Sequence, residues 1–292
     1  MRALLVHNPA AGSGRPTAEE LLALLDEAGF SASYFSSKED AYKKALARGN
    51  AEIVIVAGGD GTVGTIARKL PDRKILFGIL PLGTANNVSR CLEIKGEIET
   101  LVRTLRGAQI KRLDIGCAVG PWGQWNFLES VGWGALAKVV DTGVPSGSRE
   151  SEIELGRELF AETLEQATPC RVCFEADGQR IERDLIFIEI LNLGMTGPRV
   201  LISPSAKPGD QLLDIVYLTA ERKQEMIDWL RATPDDTPIP LEEIKARKAM
   251  LVWTEGPLRV DDEVFDAPEM PSHVHVEIEP DGLRVCVPAV ED

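Results

Sequence analysis

The stretch IVIVAGGDGTVGTIARKL, residues 53–70, joins an apolar run to a glycine-rich loop and then to a helical pattern. Residues 53–57 contain only Ile, Val and Ala, which is typical of a strand buried on both faces of a parallel sheet. Residues 62–70 have helical spacing. A strand, a glycine loop and a helix in this order predict a βαβ unit with the loop at the carboxyl end of the strand.

The same alternation continues on both sides of this stretch. Thr17 and Glu20 have the spacing of a capping box, and Gly29 is a typical helix stop. The pattern predicts an α/β domain over residues 1–113, with a parallel sheet covered by helices. The further strands are predicted at 3–7, 31–35 and 75–80, and the further helices at 17–28 and 39–47.

Beyond residue 113 the pattern changes to β-rich segments separated by Gly, Asp and Pro. The sequence ADGQ at 176–179 is a hairpin signal, and one helix is predicted near 152–166. Residues 114–292 are therefore predicted to form a mostly antiparallel second domain, so that the fold class is α/β plus β. Its strands are predicted at 170–176, 185–191, 213–218, 250–253, 258–260, 274–278 and 283–287.

Charge is distributed unevenly along the 292 residues. The net charge is -14, but residues 1–112 hold 16 basic and 12 acidic side chains, whereas residues 113–292 hold 16 basic and 34 acidic ones. A chain of this sign is repelled by nucleic acid and by anionic lipid headgroups, so no nucleic-acid partner is expected. The apolar runs are too short to cross a membrane, the N-terminus lacks a signal-peptide pattern, and five cysteines fit reduced thiols, so we expect a cytoplasmic protein.

Three loops carry the chemistry of the first domain, and each follows a predicted strand. They are NPAAGSGR at 8–15, GGDGT at 58–62 and PLGTANN at 81–87. In a parallel sheet all three lie at the carboxyl edge, where glycine amides and helix N-termini bind phosphate. Asp60 would repel a phosphate unless Mg²⁺ lay between them, so this pattern predicts a metal-bound nucleotide. Any one of the loops alone is equally typical of a simple turn.

These motifs resemble those of the diacylglycerol kinase catalytic-domain superfamily, which includes bacterial lipid kinases and sphingosine and ceramide kinases. The resemblance continues through FLESVGWGALA at 127–137, SPSAKPGDQLLDIVYL at 203–218 and VDDEVFDAP at 260–268, and covers nearly the whole chain in order. GGDGT is shared with NAD kinases and phosphofructokinases. The motifs at 81–87 and 203–218 narrow the match to the lipid kinases.

The resemblance implies an ATP-binding first domain, a β-sandwich-like lipid-substrate domain, an active site in the cleft between them, and a chain end that returns to the first domain. It also implies that Asp60 holds the catalytic Mg²⁺, and that Thr84, Asn8 and Ser36 contact the nucleotide. The residues implied to bind ATP are Asn8, Ser36, Gly58, Gly59, Asp60, Gly61, Thr62 and Thr84.

Two further motifs gain roles from the resemblance. Asp261 and Glu263 match the carboxylates of a family Asp-Gly-Glu turn, with Asp262 in place of Gly, and the family role of this Glu is general base. Taken alone, the same run is typical of a solvated hairpin turn. Asp210, with the carbonyls of Lys207 and Leu212, matches a structural Mg²⁺ site of bacterial members, although a simple turn before a strand would have the same pattern.

The chain departs from the family beside the proposed metal. Gly64 and Thr65 stand where Asn and Glu are usual, and Asn87 stands where Asp is usual. The leading hypothesis is therefore an ATP- and Mg²⁺-dependent kinase acting on a lipid hydroxyl, such as that of diacylglycerol or a sphingoid base. A catalytically weakened homologue that senses nucleotide or lipid is the first alternative, and an NAD kinase is the second.

Three further expectations concern membrane contact, oligomeric state and the aromatic residues of the second domain. The charge predicts transient contact with neutral lipid, and an exposed strand edge in the second domain would allow a homodimer. The aromatic side chains of that domain are more typical of core than of an acyl groove. They are Trp122, Trp125, Phe127 and Trp133.

Overall fold

The computed structural model describes residues 1–143, 148–232 and 239–289. The chain forms two compact units. Unit 1 consists of Met1–Asp114 and a C-terminal segment that begins at Pro280, and unit 2 consists of Ile115–Glu279. No helix in the described ranges has both the length and the apolar composition needed to cross a bilayer.

Unit 1 alternates strands and helices, as the apolar periodicity predicts. Thr17 accepts a hydrogen bond from the Glu20 amide and Glu20 accepts one from the Thr17 amide, so the capping box at the start of the first long helix is present. The elements are β1 Arg2–His7, α1 Ala18–Glu27, β2 Ser31–Ser36, α2 Ala41–Ala47, β3 Ile53–Gly58, α3 Asp60–Lys69, β4 Leu76–Pro81, α4 Asn87–Cys91, α5 Ile98–Thr104 and β5 Gln109–Leu113.

Unit 2 is built on an antiparallel sheet, and its helices pack together beside that sheet. Its elements are β6 Gly116–Gly120, β7 Gly123–Phe127, β8 Ser130–Gly134, α6 Ala135–Thr142, α7 Arg149–Gln166, β9 Cys170–Ala176, β10 Gln179–Leu191, β11 Met195–Thr196, β12 Val200–Leu201, β13 Leu213–Thr219, α8 Lys223–Arg231, β14 Glu242–Ala246, β15 Lys248–Trp253, β16 Leu258–Val260, β17 Glu263–Phe265 and β18 Ser272–Ile278; β19 Leu283–Val287 then follows in unit 1.

The sheet of unit 1 has the order β2-β1-β3-β4-β19-β5. Its strands run parallel from β2 to β19, and β5 lies antiparallel to β19 at the edge. The strand pattern groups residues 283–287 with the antiparallel strands of the second domain, whereas the family resemblance implies a chain end that returns to the first domain. In the structure β19 pairs with β4 and β5. Four of its five residues are buried, which suits an interior strand of a sheet covered on both faces.

The main sheet of unit 2 follows the path β17-β16-β8-β10-β9-β15-β18-β6-β7, and β13 and β14 continue from β10. Phe127 and Trp133 are buried in one core cluster of this unit, and Trp122 and Trp125 pack against that cluster with part of their surface exposed. The rings of Trp122 and Phe265 stack with centroids 4.2 Å apart. Phe127 and Trp133 therefore belong to the core, as expected, and Trp122 and Trp125 lie at its margin.

Candidate active site

The carboxyl edge of the unit 1 sheet carries the loops predicted to bind phosphate. His7 at the end of β1 is in register with Ser36 at the end of β2 and with Ala57 in β3, and Gly58 is in register with Pro81 of β4. The loops that follow β1, β3 and β4 therefore leave the sheet at one edge, where ligands of parallel sheets bind.

The GGDGT motif is a junction between strand and helix, and only its first two residues precede α3. The predicted helix begins at residue 62, but α3 begins at Asp60, because the Gly59 carbonyl accepts hydrogen bonds from the amides of Thr62 and Val63, both at 3.0 Å. Within the described ranges no side chain caps this helix. Asp60, Gly61 and Thr62 thus lie in the first turn, at the positive end of the helix dipole.

Two of the glycine loops touch through their backbones. A Cβ atom added to Gly83 would lie 2.5 Å from the Gly59 Cα, and one added to Gly59 would lie 3.0 Å from the Gly83 Cα. The Leu82 amide donates to the Gly58 carbonyl at 3.0 Å. A Cβ atom at Gly83 would overlap the Gly59 backbone, and one at Gly59 would make a tight contact, so the close approach of the two chains depends on glycine at 83 and favours it at 59.

Asp60 is held between α3 and α4. Its Oδ1 accepts a hydrogen bond from the Val88 amide at 3.0 Å, in the first turn of α4. The loop before α4 is fixed by Asn86, which has a left-handed φ of 53° and exchanges hydrogen bonds with the Gly83 backbone at 2.8 and 2.7 Å. Asn87, which replaces the family Asp, is 2% exposed and adjoins Val88. The departure from the family therefore lies beside the Asp60 carboxylate.

The remaining predicted nucleotide contacts lie at the same edge. Asn8 donates from Nδ2 to Thr62 Oγ1 at 3.4 Å, which links the first loop to α3. Ser36 Oγ accepts from the Lys38 amide at 3.2 Å, and Thr84 lies half-buried in the loop between β4 and α4. These residues thus lie at one edge of the sheet, where Asn8 and Thr62 are in direct contact, and their binding of a nucleotide stays a prediction.

His7, beside Asn8, is a feature of this edge that the sequence did not single out. It is 1% exposed, and neither ring nitrogen has a hydrogen-bond partner among the described residues. Its ring meets Tyr34 edge to face, with centroids 6.0 Å apart. Burial lowers the pKa of His7 below its usual 6.5, so the neutral imidazole is favoured here.

The donor set at this edge fits Mg²⁺ that is carried by a nucleotide. Among the side chains described, His, Cys, Asp and Glu nowhere form a group of three that could hold a metal. Mg²⁺ is commonly bound by one or two carboxylates together with water and substrate phosphates. The half-buried Asp60 carboxylate, one oxygen of which accepts a hydrogen bond from the Val88 amide, would supply one such ligand.

Asp261 and Glu263 lie in a hairpin of unit 2. Val260 of β16 pairs with Glu263 of β17, so Asp261 and Asp262 form a two-residue turn in which Asp261 has a φ of 51°. The Asp261 carboxylate accepts hydrogen bonds from three consecutive amides, and Glu263 is exposed at the start of β17. These donors are the amides of Leu128 at 3.0 Å, Glu129 at 2.8 Å and Ser130 at 3.3 Å.

A buried ion pair joins β16, the first strand of this hairpin, to β10, and none of the sequence motifs contains its two residues. Arg259 Nη2 lies 2.8 Å from Glu189 Oε2, and Arg259 is 1% exposed and Glu189 0% exposed. Burial raises the pKa of Glu189, and the charge of Arg259 opposes that rise. The available signal was a single charged residue within each of two apolar strands, LRV at 258–260 and IFIEIL at 186–191.

A further buried carboxylate, Asp114, is the last residue of the N-terminal part of unit 1. The sequence predicts no site there. Asp114 is 1% exposed, and its Oδ1 accepts from Arg112 Nε at 2.5 Å. Its signal was weak, because a lone Asp after a strand is common in turns.

The predicted structural metal residues lie in their own loop of unit 2. Asp210 Oδ1 accepts from the Leu212 amide at 3.1 Å, and the Lys207 carbonyl accepts from the Gly209 amide at 2.8 Å. These bonds close the loop before β13 without a metal, and they leave lone pairs on both oxygen atoms. Mg²⁺ at this loop stays a prediction.

Two family models match successive parts of the chain. The diacylglycerol kinase catalytic domain matches residues 2–118, and the YegS C-terminal NAD kinase beta sandwich-like domain matches residues 156–287. Together the two models account for most of unit 1 and most of unit 2. The fold class predicted from the sequence, α/β plus antiparallel β, is confirmed.

Known proteins with similar sequences and structures bear the same family name. A diacylglycerol kinase of Staphylococcus saprophyticus is 27% identical over 90% of this chain and 88% of its own length, and one of Bacillus subtilis is 25% identical over 79% and 77%. The crystal structure of a diacylglycerol kinase from Bacillus anthracis aligns with a TM-score of 0.72 and 20% identity over 98% of this chain and 96% of that chain, which shows the shared fold. With both domain models matched in order, this chain belongs to the diacylglycerol kinase family of lipid kinases.

Proposed function

We propose that this chain transfers the γ-phosphoryl group of ATP to a hydroxyl group of a lipid such as diacylglycerol or a sphingoid base, with Mg²⁺ bound. The observation that carries the proposal is the meeting of three glycine-rich loops at one sheet edge, with Asp60 in the first turn of α3. Backbone amides that converge beside a helix N-terminus stabilise phosphate, and the neighbouring carboxylate supplies a ligand for its metal.

In this proposal the unit 1 residues bind and orient the nucleotide. The close contact of Gly59 with Gly83 leaves room for phosphate oxygens to approach backbone amides. Asn8 and Thr62 hold the first loop against α3, and Asp60 holds Mg²⁺. When bound, Mg²⁺ neutralises negative charge on the phosphates.

The unit 2 hairpin supplies the proton acceptor. Glu263 takes the proton of the lipid hydroxyl while that oxygen bonds to the γ-phosphorus and the bond to the β-γ bridging oxygen breaks, which leaves ADP and a lipid phosphate. The exposure of Glu263 suits a group that must meet a substrate. Three amides keep the neighbouring Asp261 carboxylate in place, so the turn before Glu263 is well defined.

A lipid acceptor is supported by the names of the relatives, which are diacylglycerol kinases. The acidity of residues 113–292 opposes lasting attachment to anionic membranes and favours transient contact with neutral lipid. The cytoplasmic location and the homodimer remain predictions.

A weakened homologue is the second candidate, and Asn87 is the observation that favours it. Asn87 carries a side-chain amide where the family places a second carboxylate. It directly precedes Val88, whose backbone amide donates to Asp60. With one carboxylate fewer, Mg²⁺ would bind less tightly at this edge.

The proposal is tested by incubating the purified chain with γ-labelled ATP, Mg²⁺ and mixed micelles that contain single lipid alcohols, with NAD as a separate acceptor. We expect label in diacylglycerol or a sphingoid base and none in NAD. Asp60→Asn should lower the rate about 100-fold, because it removes a charge that faces the metal. Asp26→Asn, which changes an exposed carboxylate on α1, is the matched control. Absence of transfer to every lipid would favour the weakened homologue, and transfer to NAD alone would favour an NAD kinase.

A further inference from the structure

The ion pair of Arg259 and Glu189 spans a strand that lies between its two members. Arg259 of β16 and Glu189 of β10 are both in register with Gly132 of β8, so the three residues form one row across the sheet. A Cβ atom on Gly132 would lie 1.9 Å from Glu189 Oε1. The glycine therefore leaves the space in which the two charged side chains meet.

The hydrogen bonds of Arg259 reach the turn that carries Asp261. Arg259 Nη1 donates to the Asp261 carbonyl at 2.7 Å. Arg259 Nη2 donates to Ser130 Oγ at 2.7 Å and to Thr196 Oγ1 at 2.6 Å. Ser130 also joins the turn directly, because its amide donates to Asp261 Oδ1 and its carbonyl accepts from the Asp261 amide at 2.9 Å. The guanidinium thus contacts the turn at the Asp261 carbonyl and also contacts Ser130, which is itself hydrogen-bonded to Asp261.

The turn gains from such support because Asp261 has a left-handed backbone. A φ of 51° is less favourable than a right-handed one for a residue with a Cβ atom, although Asp tolerates it better than most, and the surrounding contacts stabilise it. A buried ion pair is a poor source of stability, since an apolar pair of similar volume often stabilises a fold equally well or better. Apolar side chains could not replace the hydrogen bond from Arg259 to the Asp261 carbonyl.

We propose that the buried Arg259–Glu189 pair is a positioning device, which holds the turn of Asp261 and Asp262 and thereby orients Glu263. Glu189 fixes the guanidinium, and the guanidinium fixes the turn. Neither residue touches the substrate, so both act through the hairpin. The effect on catalysis rests on the proposed function, whereas the effect on the turn does not.

The test replaces the pair by apolar side chains in the double variant Arg259→Met and Glu189→Met. We expect a melting temperature at or above that of the natural chain, because no buried charge is left without a partner. We also expect faster hydrogen exchange of the amides of residues 128–130, which donate to Asp261, and a kcat for lipid phosphorylation about 10 to 100 times lower, with a nearly unchanged KM for ATP.

The single variant Arg157→Met is the matched control. Arg157 is another shielded arginine of unit 2, and its guanidinium donates to the Leu230 carbonyl at 3.2 and 3.3 Å. Its loss should leave kcat and the exchange at residues 128–130 unchanged.

One outcome of the double variant would overturn the inference, and one outcome for the natural chain concerns the proposed function alone. Unchanged exchange at residues 128–130 together with an unchanged kcat would overturn it and reduce the pair to a structural element. If the natural chain phosphorylates no lipid, the proposed function fails separately, and the exchange of these amides alone decides whether the pair holds the turn.

Discussion

At the residue scale, the chemistry of unit 1 depends on how Asp60 is surrounded. The sequence predicted that Asp60 is a metal ligand, because a lone carboxylate among phosphate-binding glycines needs a cation. Its bond to the Val88 amide could not be predicted, because residues 28 positions apart meet only through the packing of α3 and α4. That contact places Asn87 beside the proposed metal ligand.

The Asn87→Asp variant should change how the protein responds to Mg²⁺. Without the metal, the new carboxylate at position 87 is buried and repels the Asp60 carboxylate. The free energy of unfolding should therefore fall by about 2 kcal/mol. With nucleotide and Mg²⁺ present, the added ligand should restore stability and lower the Mg²⁺ concentration needed for half-maximal activity.

Thermal unfolding across a Mg²⁺ titration measures this difference. Asn50→Asp, which adds the same charge at an exposed position of unit 1, is its control. An equal response to Mg²⁺ in the two variants would contradict the placement of the metal beside Asp60.

His7 gives a second prediction at this scale. Because its pKa is lowered in the folded state, the unfolded chain takes up a proton below about pH 6.5 while the folded chain does not. The free energy of unfolding should therefore decline as pH falls from 6.5 towards the lower folded value, by up to about 1.4 kcal/mol per pH unit from this group.

Replacement by an aromatic ring without titrating nitrogens should remove this contribution. In denaturant unfolding at pH 8.0 and 5.5, His7→Phe should lose less stability than the natural chain over the same interval. Identical losses would show that the pKa of His7 is not lowered by folding. The other two histidines, His273 and His275, lie exposed on β18 and stay in both proteins.

At the element scale, most of unit 1 follows from apolar periodicity, because the buried faces of β1, β3 and β4 are continuous apolar runs. The start of α3 at Asp60 was missed, since Gly and Asp have low helix propensity and the backbone geometry of the loop overrides it. Strands β6, β7 and β8 were missed because they contain Gly, Trp, Asn and Gln instead of alternating apolar residues. Helix α8 was missed because its apolar face is short.

The contact between the loops after β3 and β4 gives a prediction for these elements. Gly83→Ala places a Cβ atom against the Gly59 backbone, which has no flexible side chain that can move away. The free energy of unfolding should fall by about 1 to 3 kcal/mol, and ATP should bind more weakly.

Gly107→Ala is the matched control for this substitution, because a Cβ atom there has no heavy atom within 4 Å. Denaturant unfolding and nucleotide titration of both variants provide the comparison. Equal stability of the two would contradict the close approach of Gly59 and Gly83.

At the scale of the whole molecule, the residues proposed to bind the nucleotide lie in unit 1 and the proposed proton acceptor lies in unit 2. Strand periodicity alone does not show where the chain returns to unit 1. The strand at residues 283–287 belongs to unit 1 although the preceding strands belong to unit 2. Likewise Arg259 and Glu189 are 70 positions apart, and their meeting across Gly132 depends on strand order. The motifs predicted which carboxylates form the site, and that stays a prediction, whereas only the structure showed which groups hold Asp261.

In the proposed mechanism, Glu263 accepts the proton of a lipid hydroxyl during phosphoryl transfer. The most direct test of this role is the transfer rate from γ-labelled ATP to diacylglycerol or a sphingoid base in mixed micelles, compared between Glu263→Gln and Asp262→Asn, which alters the neighbouring exposed acid. We predict a rate about 100 to 1,000 times lower for Glu263→Gln and a nearly unchanged rate for Asp262→Asn. A transfer rate of Glu263→Gln equal to that of the natural chain would show that Glu263 is not the proton acceptor.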